Sequence, residues 1–326
     1  MVFNYPKLLH LYWDTSNKMS YLNILTILSF KKYHIDWKIN IYSIKKENSF
    51  IECTLEEFDN ITTSDNLKKN NEIKKNDKKM LYSGVDYFNE LKKIPNVFIH
   101  NISENSFNFS EKYKYTSETI KSDYLRLQIL NTYGGVWSDF DIIFTNNIEE
   151  HHSKYNNKKF IFYKDNTSKN SMMIPATFLI SHKNNSILNT LLKYINIFYN
   201  PHSATYHGDD KCLKSFMFQA IFDKNQRKTH PILGKIVREI NLSELAILNA
   251  DCYCKIKPNQ LDILFSNSGG LIENYIQNDS NIFGIQWFSK EKKSIEYENK
   301  LNIDDLCMKE SKCLMDGIVK KFIKRI

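Results

Sequence analysis

The sequence predicts an α/β fold opening on a doubly wound nucleotide-binding sheet, and three observations carry that prediction. Lys7–Trp13, Tyr21–Tyr33 and Trp37–Tyr42 read in succession as strand, helix and strand, the opening of such a sheet. A second helix ends at Gly134-Gly135 and passes at once into the apolar run Val136–Phe144, the pattern of a helix returning to a buried strand. The chain has 326 residues, 42% hydrophobic and 13% aromatic, enough to bury a full core as one large α/β domain or two small ones.

Along the chain, Asp14-Thr15-Ser16-Asn17 makes a turn after the first strand, where a nucleotide could approach. The helix Tyr21–Tyr33 then turns Leu22, Leu25, Leu28 and Ser29 inward. Residues Thr62–Lys79 shift to Asn, Lys, Asp and Glu, a surface excursion or a polar helix edge. Tyr87–Lys93 reads as helical and Asn96–Ile102 as a strand, on which His100 is a satisfied core or edge residue. In the next helix Ile120, Tyr124, Leu127 and Leu130 recur at spacings of four, three and three, with Thr116 or Ser117 as cap. His151–Lys159 reads as a solvated loop. Phe160–Tyr163 and Thr177–Ser181 are strands, and Asn185–Tyr199 is a helix. Tyr206-His207-Gly208-Asp209-Asp210 leads into a helix over Cys212–Phe222, with Asp209 and Asp210 as minor site candidates at a helix N-terminus that favours acidic side chains anyway. Ile247–Ile256 and Asp262–Phe265 supply short strands and turns. Ser268-Gly269-Gly270 forms a joint, and Asp304–Ile326 is one amphipathic helix with Leu314, Ile318 and Phe322 in a stripe beside Lys320, Lys321, Lys324 and Arg325.

The chemistry gathers between Ser122 and Phe144. On one strand Asp139 and Asp141 would share a face, about 6–7 Å apart. At an effective dielectric near 20 their repulsion is on the order of 2 kcal/mol, so a partly buried site favours a cation or a shared proton between them. Hard oxygen ligands suit Mg²⁺ or Mn²⁺, ions commonly completed by substrate phosphates. Asp123 and Arg126 lie three apart on the helix, pairing a carboxylate for sugar hydroxyls with a guanidinium for phosphate or sugar oxygens. An Asp-x-Asp alone is common in soluble proteins and is usually solvated.

Here it stands in an ordered set: Ser122-Asp123-x-x-Arg126, a helix, Gly134-Gly135, Trp137, x, Asp139-x-Asp141. This set resembles the DXD sugar transferases, the group of the yeast-type initiating mannosyltransferases and the glucosylating clostridial toxins. The match is dense over residues 117–145 and thinner elsewhere. The resemblance implies a GT-A type fold, a Rossmann-like mixed sheet flanked by helices with a C-terminal helix, together with a nucleotide-sugar donor and Mn²⁺ or Mg²⁺. It implies that Trp13, three residues after His10, lies against the donor base, unless it is an ordinary core aromatic. It places Trp137 with the substrate-binding residues. It also sets Gly284-Ile285-Gln286-Trp287 where the group commonly reads Gly-Ile-His-Trp, so Gln286 would approach the metal and Trp287 the diphosphate. Gln286 offers a neutral amide oxygen in place of imidazole and is the weaker ligand.

The expected activity is metal-dependent transfer of a hexose from a nucleoside diphosphate sugar to an acceptor hydroxyl of a glycan, protein or lipid, with retention implied by the resemblance. Asp141 binds metal, Asp139 supports the metal and touches ribose or sugar, and Asp123 and Arg126 hold the donor sugar. The chain would be one catalytic domain, with residues 1–145 for the donor, 146–300 for the acceptor and closing segment, and 301–326 as the amphipathic helix. Two alternatives stand: a nucleotide-sugar-binding protein that has lost catalysis, and an Asp-x-Asp phosphohydrolase or nucleotidyltransferase.

Other classes receive less support. The net charge of +8 suits an anionic substrate, but no recognition helix, zinc finger or RNA-binding signature accompanies it. No signal peptide is read in Met1–Leu11, and no apolar stretch reaches a membrane span, so a reducing cytosol is expected. The C-terminal helix packs against the domain or touches an acidic membrane. The six cysteines form no disulfide framework. Cys252 and Cys254 lack a second pair at zinc spacing, leaving free, mostly buried thiols.

Overall fold

In the computed structural model, residues 3–44, 81–103, 118–164, 176–198, 240–266, 279, 281–308 and 310–323 are described. The expected caps Thr116 and Ser117, the tract Thr62–Lys79, the stretch Tyr206–Phe222 with Asp209 and Asp210, Ser268–Gly270, Cys53, Cys212, Lys324 and Arg325 lie outside the described residues.

The opening unit folds as its sequence pattern dictates. Strand β1 (Leu8–Tyr12) leads to helix α1 (Tyr21–Tyr33) and to β2 (Lys38–Ile44), which pairs in parallel with β1. Ser20 caps α1 in a reciprocal box with Asn23, satisfying donors that the first helical turn leaves open. A short 3₁₀ turn, Phe88–Lys93, precedes β3 (Val97–Ile102), parallel to β2. Helix α2 (Glu118–Tyr133) then crosses to β4 (Gly135–Ser138), parallel to β1 on its other side. The turn between them needs both glycines, because Gly134 has φ +68° and Gly135 φ +95°, backbone that other residues adopt only under strain. A Cβ on Gly135 would also lie 2.5 Å from the carbonyl oxygen of Leu8.

The run Val136–Phe144 is not the single strand its apolar pattern suggests. It breaks after Ser138, turns through Asp139-Phe140-Asp141, and resumes as β5 (Ile142–Phe144) in a separate two-stranded sheet with β9 (Gly284–Gln286). Both carboxylates therefore sit in the turn beyond the end of β4 and are not alternate residues of one ladder.

Helix α3 (Ile148–His152), strands β6 (Phe160–Lys164) and β7 (Phe178–Ser181), helix α4 (Ser186–Phe198) and strand β8 (Leu245–Asn249) complete the main sheet. Its order is β3-β2-β1-β4-β7-β6-β8, with β7 antiparallel to both β4 and β6 and β8 parallel to β6. This is the expected mixed, Rossmann-like sheet flanked by helices. The last helices are α5 (Asp262–Phe265), α6 (Lys292–Lys300), α7 (Ile303–Met308) and α8 (Leu314–Ile323).

Strand alternation divides the core between the two faces of the sheet. Trp137, Phe160, Phe162 and Leu179 pack with Tyr124, Leu127 and Leu130 of α2 and Leu188 and Leu191 of α4. Val136, Ile161, Phe178 and Ile180 pack on the opposite face with Ile24, Ile27 and Phe30 of α1. A third cluster covers the outer side of α1, joining Tyr21, Leu22 and Leu25 to Ile285, Trp287, Leu314, Ile318 and Phe322. Helix α1 is thus enclosed between the sheet and the C-terminal helices, which is why it is apolar nearly all round.

Three expectations change here. His152 is not solvated: it is fully buried, with Nδ1 2.7 Å from the Ile148 carbonyl oxygen and Nε2 bonded to the Tyr163 hydroxyl, and burial lowers its pKa to about 3. Asp262–Phe265 is helical, not a strand. The C-terminal segment is two helices rather than one, α7 and α8. Of the two readings of its apolar stripe the structure agrees with packing against the domain, since Leu314, Ile318 and Phe322 are buried in the third cluster. Among the described residues no helix is long and apolar enough to cross a membrane.

Candidate active site

In an open sheet a ligand crevice forms at the carboxyl ends of the strands, where neighbouring crossovers run in opposite directions. Strand β1 has β2 on one side and β4 on the other, so the crevice falls between the end of β1, with Tyr12 and Trp13, and the end of β4, with Asp139. The structure brings these together: the Trp13 ring meets Phe140, the middle residue of the Asp-x-Asp turn, edge-on at a centroid distance of 5.3 Å. Trp13 is half-buried, and its indole nitrogen donates to Asn17 O at 3.2 Å. The Asp14–Asn17 turn is in turn held by Asp14, whose carboxylate accepts from Ser16 N at 3.0 Å and Asn17 Nδ2 at 3.0 Å.

Helix α2 delivers the second group of residues. Asp123 and Arg126 lie on one side of it, 2.6 Å apart, and Arg126 reaches Asp139 at 3.5 Å. Arg126 also donates to the Ala176 carbonyl oxygen and lies over the Trp137 ring at 5.2 Å. Asp123 and Arg126 are 6% and 3% exposed, so this ion pair forms the floor of the site. Trp137 is fully buried and donates from Nε1 to Asp139 Oδ1 at 3.1 Å. It therefore orients Asp139 from beneath and does not line the crevice.

Asp141 is enclosed by the segment that follows β9. Gln286 Nε2 lies 3.5 Å from Asp141 Oδ1, Ser289 N lies 3.4 Å from Oδ2, and Trp287 N donates to the Asp141 carbonyl oxygen at 2.9 Å. Gln286 thus stands beside the Asp-x-Asp turn. Trp287 is fully buried in the third cluster, with an indole nitrogen lacking a hydrogen-bond partner among the described residues. Burial and the nearby charge of Asp139 push the Asp141 carboxyl up to about 6, opposed by the bonds from Ser289 and Gln286. A carboxylate held at such cost is ready to gain from a cation.

Two carboxylates and one amide fit a hard divalent ion that leaves further positions to substrate oxygens. Among the described residues no group of three or more His, Cys, Asp or Glu side chains forms a protein-only metal cage. Among the described residues Cys252 and Cys254 are buried and form no disulfide. His100 is satisfied by Asn40 Oδ1 at 2.9 Å and stacks on Tyr42.

Sequence reasoning missed two contributors. Ser289 N–H reaches Asp141 from a segment 148 residues downstream and carries no local signal. Asn23 supports the turn from below, donating from Nδ2 to the Phe140 carbonyl oxygen at 3.1 Å. In the sequence Asn23 reads only as one residue of the helix Tyr21–Tyr33.

A family model described as "Capsular polysaccharide synthesis protein" matches residues 86–236, somewhat under half of the chain. No curated protein matches the sequence. Among solved structures, the chain is similar to "PaToxG Glycosyltransferase", with 18% identity over 72% of this chain and 77% of that one and a TM-score of 0.38. It is also similar to the glycosyltransferase GlyE of Streptococcus pneumoniae TIGR4, with 10% identity over 98% and 60% of the two chains and a TM-score of 0.41. A third likeness is to the catalytic domain of alpha-toxin from Clostridium novyi, with 13% identity over 94% and 82% and a TM-score of 0.39. Identities and overlaps of this size leave the chemistry to the residues themselves.

Proposed function

We propose that the chain is a metal-dependent glycosyltransferase of GT-A type that moves a hexose from a nucleoside diphosphate sugar to an acceptor hydroxyl. The observation that carries this reading is the convergence at one switch point of Trp13, the Asp123–Arg126 pair, Asp139, Asp141 and Gln286, drawn from four separate stretches of sequence. The family match, whose description is capsular polysaccharide synthesis, spans α2 and the Asp-x-Asp turn and supports sugar transfer with a glycan among the candidate acceptors.

In this reading Asp141 and Asp139 hold Mn²⁺ or Mg²⁺, and Gln286 contributes its amide oxygen by turning about its last bond. The ion supplies Lewis-acid stabilisation of the charge that grows on the leaving diphosphate. The chain's own residues do the rest. Trp13 stacks on the base, Asp123 and Arg126 fix the sugar, and Trp137 with Arg126 keeps Asp139 aimed into the crevice. Retention is implied by the resemblance, and no side chain is assigned as a covalent nucleophile, so front-face attack by the acceptor is as compatible as double displacement. The presence of Gln286 beside Asp141 keeps a second reading in view, a nucleotide-sugar-binding protein without turnover.

Incubation with a panel of nucleotide sugars and Mn²⁺, monitoring release of nucleoside diphosphate, tests the proposal. Metal-dependent release is expected with at least one donor. Metal-dependent binding without release would favour the second reading, and hydrolysis of simple phosphate esters would favour a phosphohydrolase.

A further inference from the structure

Helix α1 is apolar nearly all round, yet it buries the amide of Asn23 and the hydroxyl of Ser29, at 4% and 0% exposure. Such groups are tolerated in a core where hydrogen bonds satisfy them. Both find those bonds on the backbone of one short segment. Asn23 Nδ2 donates to the Phe140 carbonyl oxygen at 3.1 Å, and Ser29 Oγ accepts from Phe144 N at 2.9 Å. Asp141 lies between these two anchors.

The register of β5 shows why the bonds fall there. Asp141 O accepts from Trp287 N and Thr145 N donates to Phe283 O, both at 2.9 Å, so the odd-numbered residues bond across to β9. Strand alternation turns the backbone groups of the even-numbered residues to the other edge. The sheet of β5 and β9 has two strands, so among the described residues no strand lines that edge. Asn23 and Ser29 supply from side chains what a neighbouring strand would supply from its backbone, a donor for Phe140 O and an acceptor for Phe144 N. The orientation of each is fixed within α1 and its cap. Asn23 Oδ1 accepts from Ser20 N at 3.0 Å and from Ser20 Oγ at 2.9 Å, which assigns Nδ2 to the turn. Ser29 Oγ gives its one proton to the Thr26 carbonyl oxygen at 3.1 Å, which leaves its lone pairs for Phe144 N. We infer that Asn23 and Ser29 are positioning residues for the Asp139–Asp141 turn: they clamp residues 140–144 against α1 and so hold Asp141 where Gln286 and Ser289 meet it.

The inference rests on the proposed cation site for its purpose, but the clamp is testable without any cation. The full-length protein and its Asn23→Ala, Asn23→Asp, Ser29→Ala and Ser20→Ala variants are compared by amide hydrogen exchange and by Mn²⁺ titration followed through water-proton relaxation, at pH 7.5. Aspartate keeps the acceptors that face Ser20 and suits the first turn of a helix, but it has no proton for Phe140 O. Ser20→Ala weakens the helix cap and leaves the Asn23 amide in place. Asn23→Ala, Asn23→Asp and Ser29→Ala should therefore exchange amides 139–144 about tenfold faster than the wild type and bind Mn²⁺ about tenfold more weakly, the scale of one lost hydrogen bond. In Asn23→Asp and Ser29→Ala the amides of α1 should stay within about twofold of the wild type, because the cap is kept. Ser20→Ala should show the reverse, faster exchange in the first turn of α1, with the 139–144 segment and Mn²⁺ affinity within about twofold of the wild type. Wild-type exchange over 139–144 in both Asn23→Asp and Ser29→Ala would overturn the inference, as would undiminished affinity in both where the wild type binds Mn²⁺. So would a Ser20→Ala variant as loose at the turn as Asn23→Ala, because the helix start and not the amide would then set the turn. The expected exchange pattern with no Mn²⁺ uptake by any protein, the wild type included, would uphold the clamp and overturn the cation reading.

Discussion

Burial and the charge of Asp139 push the Asp141 carboxyl up to about 6, so the folded state holds this proton more tightly than the unfolded chain. The associated stability is complete below about pH 4 and is lost as pH rises through 6. Asp141→Asn removes that loss. In the absence of divalent ions it should stabilise the protein at pH 7.5 by about 1–2 kcal/mol, a figure that allows for its partial exposure, and by nothing below pH 4. The same substitution should abolish turnover, and urea melts at the two pH values beside an activity assay check both halves. Trp13 belongs to the same scale. It is half-buried and tied to its own turn, so Trp13→Ala should leave the fold intact and weaken nucleoside diphosphate binding by about 1–3 kcal/mol, the usual worth of base–aromatic stacking. Equilibrium titration with the bare nucleotide beside a melting curve tests it; a collapse in stability instead would assign Trp13 to the core.

At the scale of elements, the bounds of α1 were legible, Tyr21–Tyr33 as expected, but its faces were not: Leu22 and Leu25 meet the C-terminal helices and Ile24, Ile27 and Phe30 meet the sheet, because an all-round apolar helix carries no stripe to orient it. The Asp-x-Asp stretch was legible in composition but not in shape. Val-Trp-Ser-Asp-Phe-Asp-Ile-Ile-Phe is rich in β-branched and aromatic residues as a strand should be, yet the ladder partner of its second half is β9, about 140 residues away, and no local pattern reveals that exchange of sheets. The Gly134–Gly135 turn sets where β4 begins and hence where the carboxylates emerge. Gly135→Ala should cost about 2–4 kcal/mol through strained backbone and the clash with Leu8, measurable by denaturant melts. The β5–β9 pair sets Gln286 against Asp141. Gln286→His should tighten Mn²⁺ binding without nucleotide, whereas Gln286→Ala should change metal affinity little and turnover more. Calorimetric titration of Mn²⁺ with and without nucleoside diphosphate decides this, and tight binding to the nucleotide-free wild type would mean that a further protein ligand exists.

Across the whole molecule, the C-terminal stripe was legible as amphipathic but not as to what covers it. Leu314, Ile318 and Phe322 close over the outer side of α1, the helix whose residue Asn23 supports the Asp139–Asp141 turn, so the C-terminal helices help position that turn. The bond from Asn23 to the Phe140 carbonyl oxygen, 117 residues along the chain, was hidden for a related reason. Its partner is distant in sequence, and periodicity carries no trace of such partners. The central claim is that these long-range contacts assemble a metal-dependent sugar-transfer site around Asp139 and Asp141. The most direct test is nucleoside diphosphate release from the accepted nucleotide sugar by wild type and Asp141→Asn, each with Mn²⁺ and with chelator. The account predicts release by the wild type with Mn²⁺ alone and none from a folded Asp141→Asn protein. Equal release by both proteins, or release undiminished by chelator, would contradict it.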